Sequence, residues 1–157
     1  MLSVELVDNA TLRLGRLPEE TRRQLRPVMV RDGKDLAARV RGKLSGPVLK
    51  MKSGRLLNSI KSQMVENAQT IYVRVFSSGV PYAAIHEYGG QTRPHMIVPR
   101  NVQALHFMAS DGAEVFARVV HHPGSKIPAR SYLRSSLEEM RETLIRNMTE
   151  AGRPRWS

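Results

Sequence analysis

Apolar residues recur along this chain with two different periods, and each change of period marks a new element. Leu25, Met29, Leu36, Val40 and Leu44 step by four and seven residues, the spacing of one helical face. Pro18-Glu19-Glu20 supplies the start, because proline suits the first helical position and acids oppose the positive end of the helix dipole. Pro27 and Gly33 interrupt the face, which predicts a kink or a late start near Pro27, and Ser45-Gly46-Pro47 ends it. Closer to the N-terminus, Ser3 to Val7 predicts a short strand, with Asp8 or Asn9 as a helix cap ahead of Leu12, Leu14 and Leu17.

The period then shortens to two. Leu56 to Val65 and Ile71 to Phe76 predict strands joined by a turn around Asn67, and in the second Ile71, Val73 and Val75 alternate with Tyr72, Arg74 and Phe76. Tyr82 to Tyr88 predicts a short helix, stopped by Gly89-Gly90, which accept the positive φ of a helix end. Met96 to Val98, Ala104 to Met108 and Glu114 to Val120 predict further strands, with Ser110-Asp111-Gly112 turning between the last two. Prolines bound Gln91 to Ser125, so that stretch reads as an arm outside the main core. Leu133, Leu137, Met140, Leu144 and Met148 mark the clearest amphipathic helix, and Gly152 to Ser157 reads as a flexible tail. With 157 residues, the expectation is one α+β domain over residues 1–157. It holds a small antiparallel β-sheet flanked by a long N-terminal helix and a C-terminal helix, with a protruding β-hairpin arm at 91–125.

Charge sharpens the picture. The formal net charge is +11, which favours polyanions or acidic protein surfaces as partners. Met1 to Leu56 carries +7 of it, Leu57 to Ser125 +1 and Lys126 to Ser157 +3. Leu36 to Val65 contains no acid, yet holds Arg39, Arg41, Lys43, Lys50, Lys52, Arg55 and Lys61. Such a run suits a surface facing nucleic acid through its phosphates; the competing reading is a set of solvated positions on a helix and loop. Aromatic residues are not interleaved with these charges, which disfavours a stacking platform for single strands.

Chemistry-bearing patterns are sparse. There are no cysteines, so disulfides and thiolate sites are excluded. His86-Glu87 lacks the second histidine of a zinc-protease helix, because Gly90 occupies that position, and no P-loop, dinucleotide-binding glycine pattern or nucleophile elbow is present. His121-His122 falls near His95 or His106 if the arm folds as a hairpin, but adjacent histidines on a strand point to opposite faces. His86 itself reads as a partly buried histidine bonded to backbone. The expectation is a non-enzyme with no cofactor, metal or catalytic residue. With no apolar run near the roughly 20 residues of a membrane span and no secretory leader pattern, it is also a soluble protein made in a reducing cytoplasm.

Three phrases resemble one family. Ser53-Gly54-Arg55-Leu56-Leu57-Asn58-Ser59-Ile60 is similar to a "tG-x-L-x-x-SI" element; Tyr82, Ala83, His86, Glu87 and Gly89 lie in a "YA-x-x-x-E-x-G" helix. Pro123 and Gly124, followed by Pro128, Ala129, Arg130, Tyr132 and Leu133, are similar to an "hPG…iPARPFLRPA" approach to the last helix. In order and spacing, over Leu36 to Met148, they resemble the tail-completion and head–tail joining proteins of long-tailed bacteriophages and related prophage-derived and gene-transfer particles. Ser131 and Ser135 stand where that family often has prolines. The resemblance implies a virion protein of the neck, assembled in the bacterial cytoplasm. It would be a homo-oligomeric ring, commonly a hexamer, that completes or terminates the tail and meets the tail tube protein and a head–tail adaptor or stopper. It also implies double-stranded DNA passing through the lumen, with Arg39, Arg41, Lys43, Lys50, Lys52 and Arg55 facing that channel or the adjoining ring, and no membrane. Within the residues themselves, the purely structural readings are Gly54 and Ser59-Ile60 feeding a strand, and Pro128 opening the last helix. A free, sequence-independent nucleic-acid-binding protein is the alternative for the same charge, and a small hydrolase is a third reading.

Overall fold

The computed structural model describes residues 2–6, 10–14, 17–46 and 53–153. The chain divides into two compact units, one formed by residues 1–88 and 129–157 and the other by Gly89–Pro128. The second of these units spans the 91–125 stretch read as an arm.

In the first unit, β1 (Leu2–Leu6) and β2 (Ala10–Leu14) form an antiparallel hairpin, followed by the long helix α1 (Glu19–Ser45). After a single helical turn, α2 (Arg55–Asn58), come β3 (Ile60–Glu66), β4 (Ile71–Ser77), the short helix α3 (Ala83–Tyr88) and the C-terminal helix α4 (Leu133–Ala151). The four strands make an antiparallel sheet in the order β1-β2-β4-β3. The α+β architecture of a small antiparallel sheet with a long N-terminal and a C-terminal helix is therefore present.

Several boundaries differ from the periodicity reading. The segment around Leu12 and Leu14 is a strand paired with β4, not the start of a helix; Thr11 and Arg13 alternate with the two leucines, a period of two. Asp8 and Asn9, read as helix caps, lie outside the described residues. Helix α1 does not start late: Pro27 lies inside it, with Arg22, Leu25 and Met29 buried on both sides of the proline and holding the helix to the sheet. Strand β3 begins at Ile60 rather than Leu56. Gly54, at φ 69°, turns the chain into the helical turn α2, where Leu56 and Leu57 pack on the core at a helical spacing to Ile60. Helix α4 starts at Leu133, five residues beyond Pro128, so that proline is not its first residue.

The core is one layer deep. One face of α1 (Leu25, Met29, Leu36, Ala37, Val40 and Leu44) meets Ile60, Ile71, Val73 and Val75 from the sheet and Leu133, Leu137, Leu144 and Met148 from α4. Gly33 allows this close approach, since a Cβ there would strike the Val73 side chain and lie 2.6 Å from Ser62 Oγ. The β3–β4 turn is closed by Asn67, whose Oδ1 accepts from the backbone N–H of Gln69 and Thr70 at 2.9 and 2.8 Å. Buried Arg22 then donates to the carbonyls of Asn67 and Ala68 at 2.7 and 2.9 Å, pinning that turn to α1.

The second unit is a nested hairpin broken into three antiparallel ribbons. β5 (Gly90–Gln91) pairs with β10 (Lys126–Ile127), β6 (His95–Ile97) with β9 (Val120–His122), and β7 (Leu105–Met108) with β8 (Glu114–Ala117). The single strand expected over Glu114 to Val120 is interrupted at Arg118-Val119. The tip is closed as the sequence suggests: Gly112 adopts φ 83° and Ala113 N–H donates to Asp111 Oδ1 at 3.1 Å. From residue 154 on, the expected tail lies outside the described residues.

Candidate functional site

Residues 83–87 of the second phrase meet the end of the third, residues 130–134, at the start of α4. Helix α3 is short, and places Glu87 at its buried side, only 2% exposed. The carboxylate accepts from the backbone N–H of Tyr132 at 2.7 Å, Leu133 at 2.9 Å and Arg134 at 2.9 Å, and from Ser131 Oγ at 2.9 Å. A helix leaves its first N–H groups without intrahelical partners and carries a partial positive charge there, so an anion in this place caps it. Glu87 is thus a helix cap contributed from 46 residues away, counted to Leu133. Tyr132 Oη donates to the Ala83 carbonyl at 3.2 Å, and Arg130 N–H donates to the His86 carbonyl at 2.8 Å. Burial first, then the Glu87 carboxylate, push the Tyr132 phenol above the usual tyrosine range. Ser131 and Ser135 join the same network: Ser135 Oγ donates to the Ser131 carbonyl at 2.5 Å.

His86 departs from its expectation. Its ring Nδ1 is buried with no hydrogen-bond partner, so it is not bonded to backbone, and its ring meets Tyr82 edge-on at 5.8 Å. Burial, helped by the charge of Arg130, holds this imidazole below its ordinary value. Alongside, Ser59 of the first phrase is buried where β3 begins; its Oγ donates to the Leu56 carbonyl at 2.6 Å and lies 2.7 Å from Ser77 Oγ.

The acid-free run is less free than its sequence suggests. Arg39 and Lys43 point to α4, where Glu139 receives Arg39 Nη2 at 2.6 Å and Lys43 Nζ at 2.7 Å. These two cations hold the Glu139 carboxyl below the usual carboxylate range, Lys43 contributing most. Lys43 also donates to Ser135 Oγ at 2.6 Å, and Arg41 donates to the Ile60 carbonyl at 2.5 Å. Arg55 and Lys61 are exposed. Lys50 and Lys52 lie outside the described residues. Of the charges read as facing a channel, three therefore tie α1 to α4 and to β3. Glu139 was missed because its partners lie 96 and 100 residues away, beyond any local pattern.

In the second unit Gly89 takes φ 74° directly after α3, as its position in the sequence suggests. Pro123 and Gly124 sit past β9, where Gly124 adopts φ 92°. His95 and His122, paired in register, stack with ring centroids 4.9 Å apart; His106 stacks on Phe116 at 4.7 Å. Adjacent His121 does not join them in a metal set: among the described residues no group of three His, Asp or Glu gathers that would hold an ion. The same unit displays much apolar surface. Met96, Val102, Met108 and Phe116 are each at least 60% exposed, and Val98 and Val119 are also open. No described helix is long and apolar enough to cross a membrane.

Together these features define an α+β protein with a buried capping network at the start of α4 and a second unit that presents apolar ribbons. No protein-family model, curated protein or solved structure matches the chain.

Proposed function

We propose that this protein is a structural component of a bacteriophage-type neck, a self-assembling ring that completes the tail and joins it to the DNA-filled head. The observation that carries the reading is the second unit. Two-stranded ribbons are marginal by themselves in water. Here both faces of the β7–β8 ribbon carry apolar side chains: Phe107 and Val115 on one, Met108 and Phe116 on the other. Exposed apolar residues gathered on one segment mark a protein contact, and free strand edges beside them invite pairing with a neighbour. The sequence resemblance supports the same reading, because Gly54, Ser59, Glu87, Tyr132 and Leu133 of its phrases serve the fold rather than a catalytic site. In such a ring the Arg39, Lys43 and Arg41 heads hold the subunit together, and among the described residues of that run Arg55 and Lys61 are the exposed charges available to DNA. Contact with a sliding duplex is sequence-blind, made to phosphates.

The test is the mass of the protein by light scattering at moderate salt, alone and with isolated tails. A hexamer-sized species, or a monomer that forms a ring only on tails, is the expected result. A strict monomer that ignores tails and binds duplex DNA tightly would replace this reading with a free nucleic-acid-binding protein.

A further inference from the structure

Four of the five histidines lie in the second unit, and two of them form a pair whose hydrogen bonds assign their protons. His122 Nδ1 accepts the Gly124 backbone N–H at 3.0 Å, so that nitrogen carries no proton. His95 Nδ1 faces the Arg93 carbonyl at 3.1 Å; a carbonyl only accepts, so this nitrogen donates. The rings are therefore opposite tautomers, stacked 4.9 Å apart with 24° between their planes. His95 can take a second proton on Nε2 and keep its bond. His122 cannot, because its new Nδ1–H would face another N–H.

The pair sits where the hairpin is pinned. Gly124 is held at φ 92°, and a Cβ there would strike the Thr92 carbonyl oxygen. Thr92 and Ser125 exchange bonds across the hairpin, Thr92 N–H to the Ser125 carbonyl at 2.9 Å and Ser125 N–H to Thr92 Oγ1 at 2.7 Å. Pro94, Met96, His121 and Pro123 complete the hollow around the rings, and none is acidic. The other charged residues of the unit are Arg93, Arg100, Arg118 and Lys126, all cationic, with Asp111 and Glu114 at the β7–β8 tip, where Glu114 lies 3.8 Å from His106. Nothing in this set offsets a second positive charge on the stack.

We propose that the His95–His122 stack is a proton-operated latch on the β6–β9 ribbon, closed while His122 is neutral and released when both rings are protonated. One charge is tolerated, as an imidazolium over a neutral ring. Two like charges at stacking distance repel, and the Gly124 bond is lost with them. The Gly124 bond needs a bare Nδ1 on His122, so the ribbon is pinned while that ring is neutral and loosens when acid protonates it. The latch would make the apolar ribbons acid-sensitive, whatever they dock against.

The experiment is amide exchange by NMR on the full chain, at about pH 7.5 and about pH 5 and corrected for intrinsic rates, with the ring tautomers read from nitrogen shifts. Gly124 and the β9 amides should lose about tenfold or more in protection on acidification. His122→Asn keeps an acceptor that takes no proton and should keep its protection; His95→Phe keeps the stack without the second charge and should lessen the loss. Equal protection of the natural protein at both pH values, a neutral-pH His122 protonated on Nδ1, or an unchanged loss in His122→Asn would each overturn the latch. The tautomer reading needs no variant to fold.

Discussion

Glu87 is the residue through which two distant phrases of the sequence become one structure. Three backbone N–H groups and a hydroxyl converge on a buried carboxylate, so truncating it leaves several donors unsatisfied at about 1–3 kcal/mol each. Glu87→Ala should lower the stability of the first unit by about 3 kcal/mol or more, read as a drop in the urea midpoint. Gly33 sets a limit of a different kind. Gly33→Ala should cost about 1–3 kcal/mol by overpacking against Val73, although alanine is the better helix former, and a stabilised protein in thermal melts would refute the close approach. His86 adds a partly buried imidazole favoured neutral, so stability falls as the pH drops below its ordinary 6.5.

At the level of elements, ion pairs strap helices to their neighbours. Arg26 bridges Glu66 of β3 at 2.8 Å and Glu19 of its own helix at 2.7 Å, while Arg39 and Lys43 grip Glu139 of α4. The Arg26 hydrogen bond holds the Glu66 carboxyl below its usual value, as Lys43 and Arg39 hold Glu139. Both carboxyls bind protons less readily folded than unfolded. Their contribution is therefore complete above about 4.5 and is lost as the pH falls through their lowered folded values. Thermal melts across that window should show a steepening acid loss, and Glu66→Gln and Glu139→Gln should flatten it. These pairs lie at the surface with one or both partners only partly exposed, and solvent and salt screen them, so each is a modest term. Arg39→Glu should loosen α1 from α4, whereas Arg55→Glu should leave the melting temperature nearly unchanged. If duplex DNA is bound, the Arg55 change should also lower the salt slope by about one.

Across the whole molecule the division of labour is between a packed unit and a ribbon unit. The first buries its apolar residues in a core shared by α1, α4 and the sheet; the second leaves Met96, Met108 and Phe116 open. Phe116→Asp with Met108→Asp should therefore shift unfolding by little, within about 0.5 kcal/mol per surface site, yet sharply reduce self-association or tail binding. A double variant that assembles like the natural protein would show that the ribbons are not the contact.

The two helices, the β3–β4 hairpin, the α3 stop at Gly89 and the turn at Gly112 were legible in the sequence, because each rests on local period and turn chemistry. The α+β class followed from them. What the sequence hid depends on distance along the chain. The strand at Leu12 takes its place by pairing with β4, and the start of α4 is set by Glu87 rather than by Pro128. The acid-free run looked like a free positive surface because Glu139 lies about a hundred residues on. The His95–His122 stack likewise exists only by register. Local periodicity fixes which backbone hydrogen bonds are available; which charges are neutralised and which protons are shared is decided when distant elements pack.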